Sequence, residues 1–339
     1  MKRLLTTGMV LLLATVPLLG QKVTKLGTTA AAFLEIDAGA RGFGMGSAFV
    51  SVADDISSMY WNPAGIARCG QMEATFANTR WIADIMYNYA AIAIPVGHVG
   101  VLGANATFLS MDDMDVTTVT APEGTGETFS SGSYAFGLSY ARQLTDRFSI
   151  GFNAKFIQER IYHSSAQGIA FDIGTLFDTQ FQGLRIGMSI SNYGTKMRMG
   201  GRDMLIQTDI DESKHGNNEN INANLQTDAY DLPLLFRVGV SMDVLKGLYN
   251  SNLILSVEAL HPNDNVESLN VGAEYSFNKL VALRCGYQSL FENNSEEGLC
   301  FGGGVNCKVL NQTTIHLDYA WGDFGLLKST QKFSMGLSF

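Results

Sequence analysis

Apolar residues alternate with small or polar residues from Glu73 to the end of the chain, in one segment after another. The segment 148–156 (FSIGFNAKF) sets phenylalanine, isoleucine and alanine against serine, glycine, asparagine and lysine at every second position. Segments 269–277 (LNVGAEYSF) and 333–339 (FSMGLSF) repeat the pattern. A period of two is typical of β-strands with one apolar and one polar face, so the sequence predicts an all-β fold over this region.

About fourteen such segments follow one another, each roughly 8 to 12 residues long, close to the ~9–11 residues with which a tilted strand crosses a bilayer. Their polar face is rich in glycine and serine, whereas their apolar face carries no lysine or glutamate. This chemistry is typical of a membrane barrel with a crowded lumen, because a soluble sheet usually has a charged outer face. The predicted strand centres are Thr75, Ala91, Ala104, Gly137, Phe152, Asp172, Met188, Val238, Leu255, Gly272, Arg284, Gly303, Leu317 and Met335.

The lengths of the connections follow a parity that fits an outer-membrane barrel. If the first strand starts from the periplasm, connections after odd strands lie outside the cell and connections after even strands lie in the periplasm. Two odd connections are long, at 111–132 and 197–231. The even connections are short, at 95–98, 144–147, 179–183, 277–279 and 310–312. Together with the aromatic C-terminal Phe339, this pattern predicts a transmembrane antiparallel β-barrel of about 14 strands in the outer membrane.

Composition and the first residues agree with an exported membrane protein. Charged residues make up 16% of the 339 residues, below the ~25% of an average soluble protein. The net charge is -9 and basic runs are absent from the sequence, which makes nucleic-acid binding a poor hypothesis. Residues 1–20 combine Lys2 and Arg3 with a short apolar run, as in a cleaved secretory signal peptide.

Residues 21–70 lie between the predicted signal peptide and the first strand. Their small residues and several glycines suit tight packing inside a barrel. We expect Asp54 to cap a short helix that runs through Tyr60, and Pro63 to prevent this helix from continuing. The sequence therefore predicts a signal peptide at 1–20, an N-terminal plug at 21–70 and a β-barrel at 71–339.

The segment 39–67 (GARGFGMGSAFVSVADDISSMYWNPAGIA) closely resembles the N-terminal region of the PorV/PorQ family, which is related to the FadL-type outer-membrane transporters. Asn62, Pro63 and Ala64 match the Asn-Pro-Ala motif of the FadL hatch. Later stretches, such as LSYARQLTDRFSIGFNAKFI and HPNDNVESLNVGAEY, resemble the same family. The resemblance implies a fourteen-stranded barrel with an N-terminal plug, in agreement with the strand count.

The same resemblance implies a role in the type IX secretion system. PorV-like members bind the large translocon barrel, receive cargo proteins by their C-terminal sorting domains and deliver them to a surface attachment complex. PorQ-like members hold an attachment-complex protein at the surface. The residues alone do not distinguish between the two roles.

Two groups of residues are candidates for functional roles. A structural stopper is the favoured interpretation of the plug motif, ahead of a gate, and a helix cap is favoured for its two aspartates, ahead of a cation site. The plug motif consists of Asp54, Asp55, Trp61, Asn62, Pro63, Ala64 and Gly65. The lumen-facing charges that the alternation predicts are Lys155, Asp172, Arg237, Glu258, Glu274, Arg284 and Asp318.

These inward charges are expected to anchor the plug, because a charge on the lipid face costs roughly 2–4 kcal/mol at mid-membrane. Glu258, Glu274 and Arg284 lie on consecutive predicted strands, which raises the hypothesis of an ion-paired rung. The sequence contains none of the GxSxG, HExxH or phosphate-loop motifs, so we expect no enzyme activity, no cofactor and no metal. The cysteines, of which Cys285 and Cys300 lie close if their strands pair, are expected to be isolated small apolar residues.

Two functional hypotheses follow. The first is a plugged barrel that shuttles or docks proteins of the type IX secretion system, surrounded by outer-membrane lipid. The alternative is a FadL-like channel for the uptake of hydrophobic molecules. A lateral opening lined by apolar residues would favour the channel, whereas a closed lumen with apolar residues on the outer loops would favour docking. Leu326 and Leu327, in the last outer connection, point towards docking.

Overall fold

A computed structural model describes residues 26–211, 213–214, 220–246, 248–292, 295–310 and 313–339. The predicted signal peptide at 1–20 lies outside this described part, as does the start of the predicted plug. Where the chain is described, no helix has both the length and the apolar character needed to cross a membrane.

Fourteen long strands, β1 to β14, dominate the structure, and each predicted strand centre falls in a different one. In chain order they are Glu73–Arg80, Met86–Pro95, Val101–Ser110, Ser131–Thr145, Phe148–Ile161, Ser164–Asp178, Leu184–Gly194, Leu235–Asp243, Ser251–Pro262, Ser268–Phe277, Val281–Leu290, Leu299–Leu310, Thr313–Asp323 and Ser329–Ser338. The prediction of about 14 strands is confirmed.

Each strand pairs antiparallel with the next one in the chain, and β1 pairs with β14 to close the sheet. Phe76 of β1 lies opposite Met335 of β14 at this closing seam. Closure gives every strand two neighbours, so the backbone groups of the wall are hydrogen-bonded without water. The fold is therefore a closed transmembrane β-barrel, as the alternation predicted.

Three strands are longer than the predicted range. β4 and β6 have 15 residues each and β5 has 14. Their extra length carries polar residues on both faces, such as Gln158, Glu159 and Arg160 at the end of β5. Water tolerates such residues and hydrocarbon does not, so this part of the sheet extends beyond the membrane.

The two ends of the barrel differ in the length of their connections. The connections after β3 and β7 are the long ones, at 111–130 and 195–234, whereas the chain turns between β4 and β5 within residues 146–147. We call the end with the long connections the outer end and the opposite end the inner end. Short two-stranded ribbons stiffen the long connections, for example Leu205–Thr208 with Ile221–Asn224.

The plug lies inside the barrel. It contains the helices α1 (Ala40–Gly44) and α2 (Ser58–Trp61) and the 3-10 helices Ala32–Glu35 and Pro63–Arg68. The 3-10 helix at 63–68 packs against β4 to β6, and α1 packs against β12 to β14. Met59 and Ile66 are fully buried in a cluster that includes wall residues, and Trp61 is fully buried in a second cluster with Leu176 of β6. The plug therefore packs against the inner wall through two apolar clusters.

The register separates the two neighbouring cysteines. Gly286 of β11 lies opposite Cys300 of β12, and Cys285 lies opposite Phe301. Successive side chains of a strand point to opposite faces, so Cys300 is buried inside and Cys285 is exposed outside. All four cysteines are free thiols.

Candidate functional site

The Asn-Pro-Ala-Gly motif connects the plug to the wall. Asn62 is fully buried, and its Nδ2 donates to the carbonyl oxygen of Val50 at 2.8 Å and to that of Thr175, on β6, at 3.0 Å. Its Oδ1 accepts the amide of Ala64 at 3.2 Å and caps the 3-10 helix that begins at Pro63. Asn62 thus fixes the turn between two plug helices and ties that turn to the barrel.

Two wall glycines make room for this turn. A Cβ atom at Gly174 would overlap the side chain of Asn62, and one at Gly151 would overlap the backbone of Pro63. Gly65, inside the plug, has the same property, since a Cβ there would lie 2.7 Å from the carbonyl oxygen of Ala53. The absence of a side chain at these glycines therefore permits close packing around the turn.

Trp61 forms the centre of an aromatic cluster with Phe49 and Tyr60, with ring centroids 5.9 and 5.0 Å away. Its indole N–H donates to the carbonyl oxygen of Ala38 at 3.1 Å. The guanidinium of Arg237, on β8, lies 4.9 Å from the Trp61 ring centroid. A cation over an indole face is attracted by the ring quadrupole, so Arg237 connects this cluster to the wall.

A chain of charged side chains runs from the plug to strands β10, β11 and β13 of the wall. Arg41 contacts Asp54 and Asp55, each at 2.7 Å, within the plug. It also contacts Glu274 of β10 at 2.8 Å. Glu274 in turn accepts from Arg284 at 2.6 Å, and Arg284 donates to Asp318 of β13 at 2.5 Å.

Burial by itself would lower the pKa of Arg41, but the carboxylates of Asp54, Glu274 and Asp55 raise it well above its ordinary value. Arg41 therefore remains charged. Two arginines and four carboxylates lie in this chain of charged side chains, and all six border a polar cavity of about 580 Å³ towards the inner end. The members of the chain are Arg41, Asp54, Asp55, Glu274, Arg284 and Asp318.

Two local predictions need correction. Asp54 does not cap α2, because its carboxylate points to Arg41, and the amide of Ser57 is accepted by Asp55 instead, at 2.8 Å. Glu258 does not join the pair formed by Glu274 and Arg284. The register places Glu258 opposite Asn270 and Glu274 opposite Ile254, which separates the two glutamates by four positions, roughly 13 Å along a strand.

Glu258 and the remaining charges have other contacts. Glu258 accepts the amide of Val50 at 2.7 Å and lies 3.8 Å from Arg237. Lys155 contacts Asp172 at 2.9 Å, on neighbouring strands β5 and β6. Asp172 also accepts the backbone amide of Asn192 at 2.7 Å, where β7 shifts its register against β6. These contacts place Glu258 against the plug and keep Lys155 and Asp172 within the wall.

Sequence reasoning missed three basic anchors. The ammonium group of Lys332 is fully buried and donates to the carbonyl oxygen of Asp37 at 2.6 Å. Arg185 donates to the carbonyl oxygen of Val52 at 3.0 Å. Arg68 of the plug contacts Asp178 of β6 at 2.5 Å. The alternating pattern could have predicted that Lys332 faces the lumen, because it lies on the same strand face as Ser334 and Gly336.

The sequence matches the family described as Type IX secretion system protein PorV over residues 20–248, a range that contains the plug and the first eight strands. No protein with a curated description matches the sequence. Among the described residues, no group of three or more His, Cys, Asp or Glu side chains is arranged to hold a metal ion.

Solved structures share the fold at low sequence identity. The CymD monoaromatic hydrocarbon channel has a TM-score of 0.57 and 11% identity, and the match covers 89% of this chain and 97% of that one. The Pseudomonas putida toluene transporter TodX has a TM-score of 0.53 and 10% identity, with 88% and 96% covered. The Ralstonia pickettii toluene transporter TbuX has a TM-score of 0.51 and 11% identity, again with 88% and 96% covered. The fold is therefore that of FadL-type outer-membrane channels.

Proposed function

The chain belongs to the family of the type IX secretion system protein PorV, and we propose that it binds secreted proteins at the outer face of the outer membrane and shuttles or docks them there. Its partners are a large translocon barrel, the C-terminal sorting domains of cargo, or proteins of an attachment complex. In this proposal residues 1–20 are removed on export, residues 21–70 form the plug and residues 71–339 form the barrel. The barrel itself carries no catalysis and needs no cofactor.

The observation that carries the proposal is the contrast between a lumen occupied by a firmly attached plug and an outer end with exposed apolar residues. The plug is tied to the wall by buried hydrogen bonds and ion pairs, from Asn62 to Arg41. At the outer end, Leu326 is 89% exposed and Phe291 is 87% exposed. Contiguous exposed apolar surface is typical of protein-binding sites, and in this proposal Leu326 and Phe291 belong to one such surface.

The exposed apolar residues lie on turns that support one another. The backbone amide of Leu326 donates to the carboxylate of Glu296 at 2.7 Å, which joins the turn after β13 to the turn after β11. Phe324 packs edge-on against Trp81, in the turn after β1, with ring centroids 5.1 Å apart. A partner would therefore meet a preformed surface, and little ordering of this surface would be needed on binding.

The alternative function is the uptake of a hydrophobic molecule, since CymD is a monoaromatic hydrocarbon channel and TodX a toluene transporter. The shared barrel fold supports this alternative. The charged chain through Arg41, Glu274 and Arg284 opposes it, because an apolar ligand that displaces the plug would leave buried charges without partners. We therefore favour docking.

The test is direct binding of a cargo C-terminal sorting domain to the protein purified in mild detergent. Replacing both Leu326 and Leu327 by Ser should weaken binding about tenfold or more, as for a central apolar contact. Leu280→Ser is the matched control, since Leu280 is an exposed leucine in a turn at the inner end. Saturable binding of a hydrophobic ligand, with no binding of cargo, translocon or attachment proteins, would refute the proposal.

A further inference from the structure

The described chain begins at the outer end of the barrel. Thr29 forms a parallel β-bridge with Asp231, and the amide of Ala30 donates to the carbonyl oxygen of Asp231 at 2.9 Å. Asp231 belongs to the long connection 195–234 that follows β7. Near its described start, the plug therefore contacts the longest outer connection.

A second connection at the same end holds this segment. The hydroxyl of Thr29 donates to the carboxylate of Asp264 at 2.6 Å, in the turn between β9 and β10. Asp264 is only 6% exposed, so this bond lies within a packed interface. Leu26, three residues before Thr29, is 70% exposed, so its side chain reaches solvent.

The plug ends at the opposite side of the barrel. The amide of Phe339 donates to the carbonyl oxygen of Met72 at 2.9 Å, and β1 begins at Glu73 from the inner end. Residues 29–72 therefore cross the entire lumen, from the outer connections to the inner rim. A plug that entered the lumen from the periplasm without crossing it would instead keep Thr29 at the inner end.

We propose that residues 26–30 lie at the cell surface beside the long connection 195–234, so that this end of the plug is part of the outer face. The Asp231 bridge makes that connection and the plug one mechanical unit, because the same residue belongs to the loop and holds the start of the plug. The proposal depends on which end of the barrel is outer and not on the docking of cargo.

Site-specific labelling of intact cells tests it. Leu26→Cys places a thiol on an exposed side chain, and a membrane-impermeant maleimide then reports whether residue 26 is outside the cell. Leu326→Cys is the control at the outer end, and Asp146→Cys, in the two-residue turn after β4, is the control at the inner end. The unmodified chain with its four native cysteines gives the baseline.

We expect Leu26→Cys to label on intact cells to the same extent as Leu326→Cys, with Asp146→Cys labelled only after permeabilisation. Labelling of Leu26→Cys only after permeabilisation, or in neither state, overturns the proposal. Labelling of Leu326→Cys only after permeabilisation would show that the barrel has the opposite orientation, which also overturns the proposal. An epitope inserted between Gly27 and Thr28, read by antibody binding to cells, repeats the test without a thiol. Cargo binding by purified protein is measured independently, so failure of either idea is recognised separately.

Discussion

Arg41 of the plug and Glu274 of the wall form a two-bond ion pair, with Nε donating to Oε2 at 2.9 Å and Nη2 donating to Oε1 at 2.8 Å. A bidentate arginine–carboxylate pair fixes orientation as well as distance. Because Arg41 also holds Asp54 and Asp55, one guanidinium joins three carboxylates. The attachment of the plug to this side of the barrel depends on that group.

Arg41→Met should release the plug from β10. Asp54, Asp55 and Glu274 would then face one another without the Arg41 cation, a loss of about 3 kcal/mol in plug attachment. Hydrogen exchange of residues 31–69 should increase, whereas the strands should keep the heat-resistant mobility of a folded barrel on a gel. Arg198→Met, an exposed charge in the long outer connection, is the control. Unchanged exchange in the plug would show that this network does not hold it.

Gly174→Ala should displace the Asn62 turn. The new Cβ atom overlaps the Asn62 side chain, and the bonds to Val50 and Thr175 cannot form with the turn displaced. Each buried group left without a partner costs about 1–3 kcal/mol.

Gly303→Ala is the matched control for this change. Gly303 also lies in a wall strand, but a Cβ atom there would be 3.7 Å from the Ala282 carbonyl oxygen, an ordinary van der Waals distance. Protease digestion of residues 31–69 in detergent should be faster for Gly174→Ala than for Gly303→Ala. Equal digestion rates would contradict the packing described for Asn62.

The sequence alone could predict the barrel because lipid and lumen impose opposite chemistry on alternate residues. This constraint acts within each strand and needs no knowledge of distant contacts. The partners of Arg41 could not be predicted in this way, since Glu274 lies 233 positions away and only closure of the barrel brings it near. The same limit applies to the direction of the plug, which is set by contacts of Thr29 with Asp231 and Asp264.

The capping error has a local cause. Asp54 and Asp55 are adjacent and chemically equal, so the sequence gives no reason to prefer one for the turn at Ser57. The preference arises from Arg41, which donates to Oδ1 of Asp54 and to Oδ2 of Asp55 and leaves Oδ1 of Asp55 to accept the amide of Ser57. A tertiary ion pair therefore decides a local hydrogen bond.

The outer end of the plug should loosen as the pH rises. Glu35 keeps contact with solvent, but partial loss of hydration, together with the charges of Asp264 and Glu297 and against that of Arg237, raises its pKa to about 7. Glu35 is neutral in the folded protein at pH 5.5 and ionised at pH 8. Its contribution to plug attachment is thus present in full below its ordinary pKa of 4.5 and is lost as the pH rises through about 7.

Hydrogen exchange of residues 29–36, corrected for intrinsic rates, should therefore show less protection at pH 8 than at pH 5.5. Glu35→Gln should remove most of this difference, because the amide has no charge to gain. If the variant retains the full pH dependence, another group is responsible.

Trypsin added to intact cells should cut the long connection 195–234 and spare the turn after β4. Both sites contain a basic residue, Lys214 in the connection and Arg147 in the turn, so cleavage depends on access rather than on chemistry. The side chain of Lys214 is 76% exposed. A fragment that ends at Lys214 is expected. A fragment that ends at Arg147 would show that the barrel has the opposite orientation in the membrane.

Shortening 197–231 should separate the docking function from the alternative of uptake. The barrel strands pair with one another, so the shortened protein should remain a folded, heat-resistant barrel. Delivery or attachment of proteins with C-terminal sorting domains should decrease, because the proposed binding is made by outer contacts. Uptake of fatty acids or other hydrophobic compounds should not change.

Asp231 must be retained in this variant, since its loss would also release Thr29 and loosen the plug. Direct binding of a sorting domain to the purified variant is the decisive measurement, because a second barrel of the same family in the cell can conceal a secretion defect. Normal binding and delivery by the shortened protein, with uptake reduced, would contradict docking by the outer connection and support uptake through the lumen.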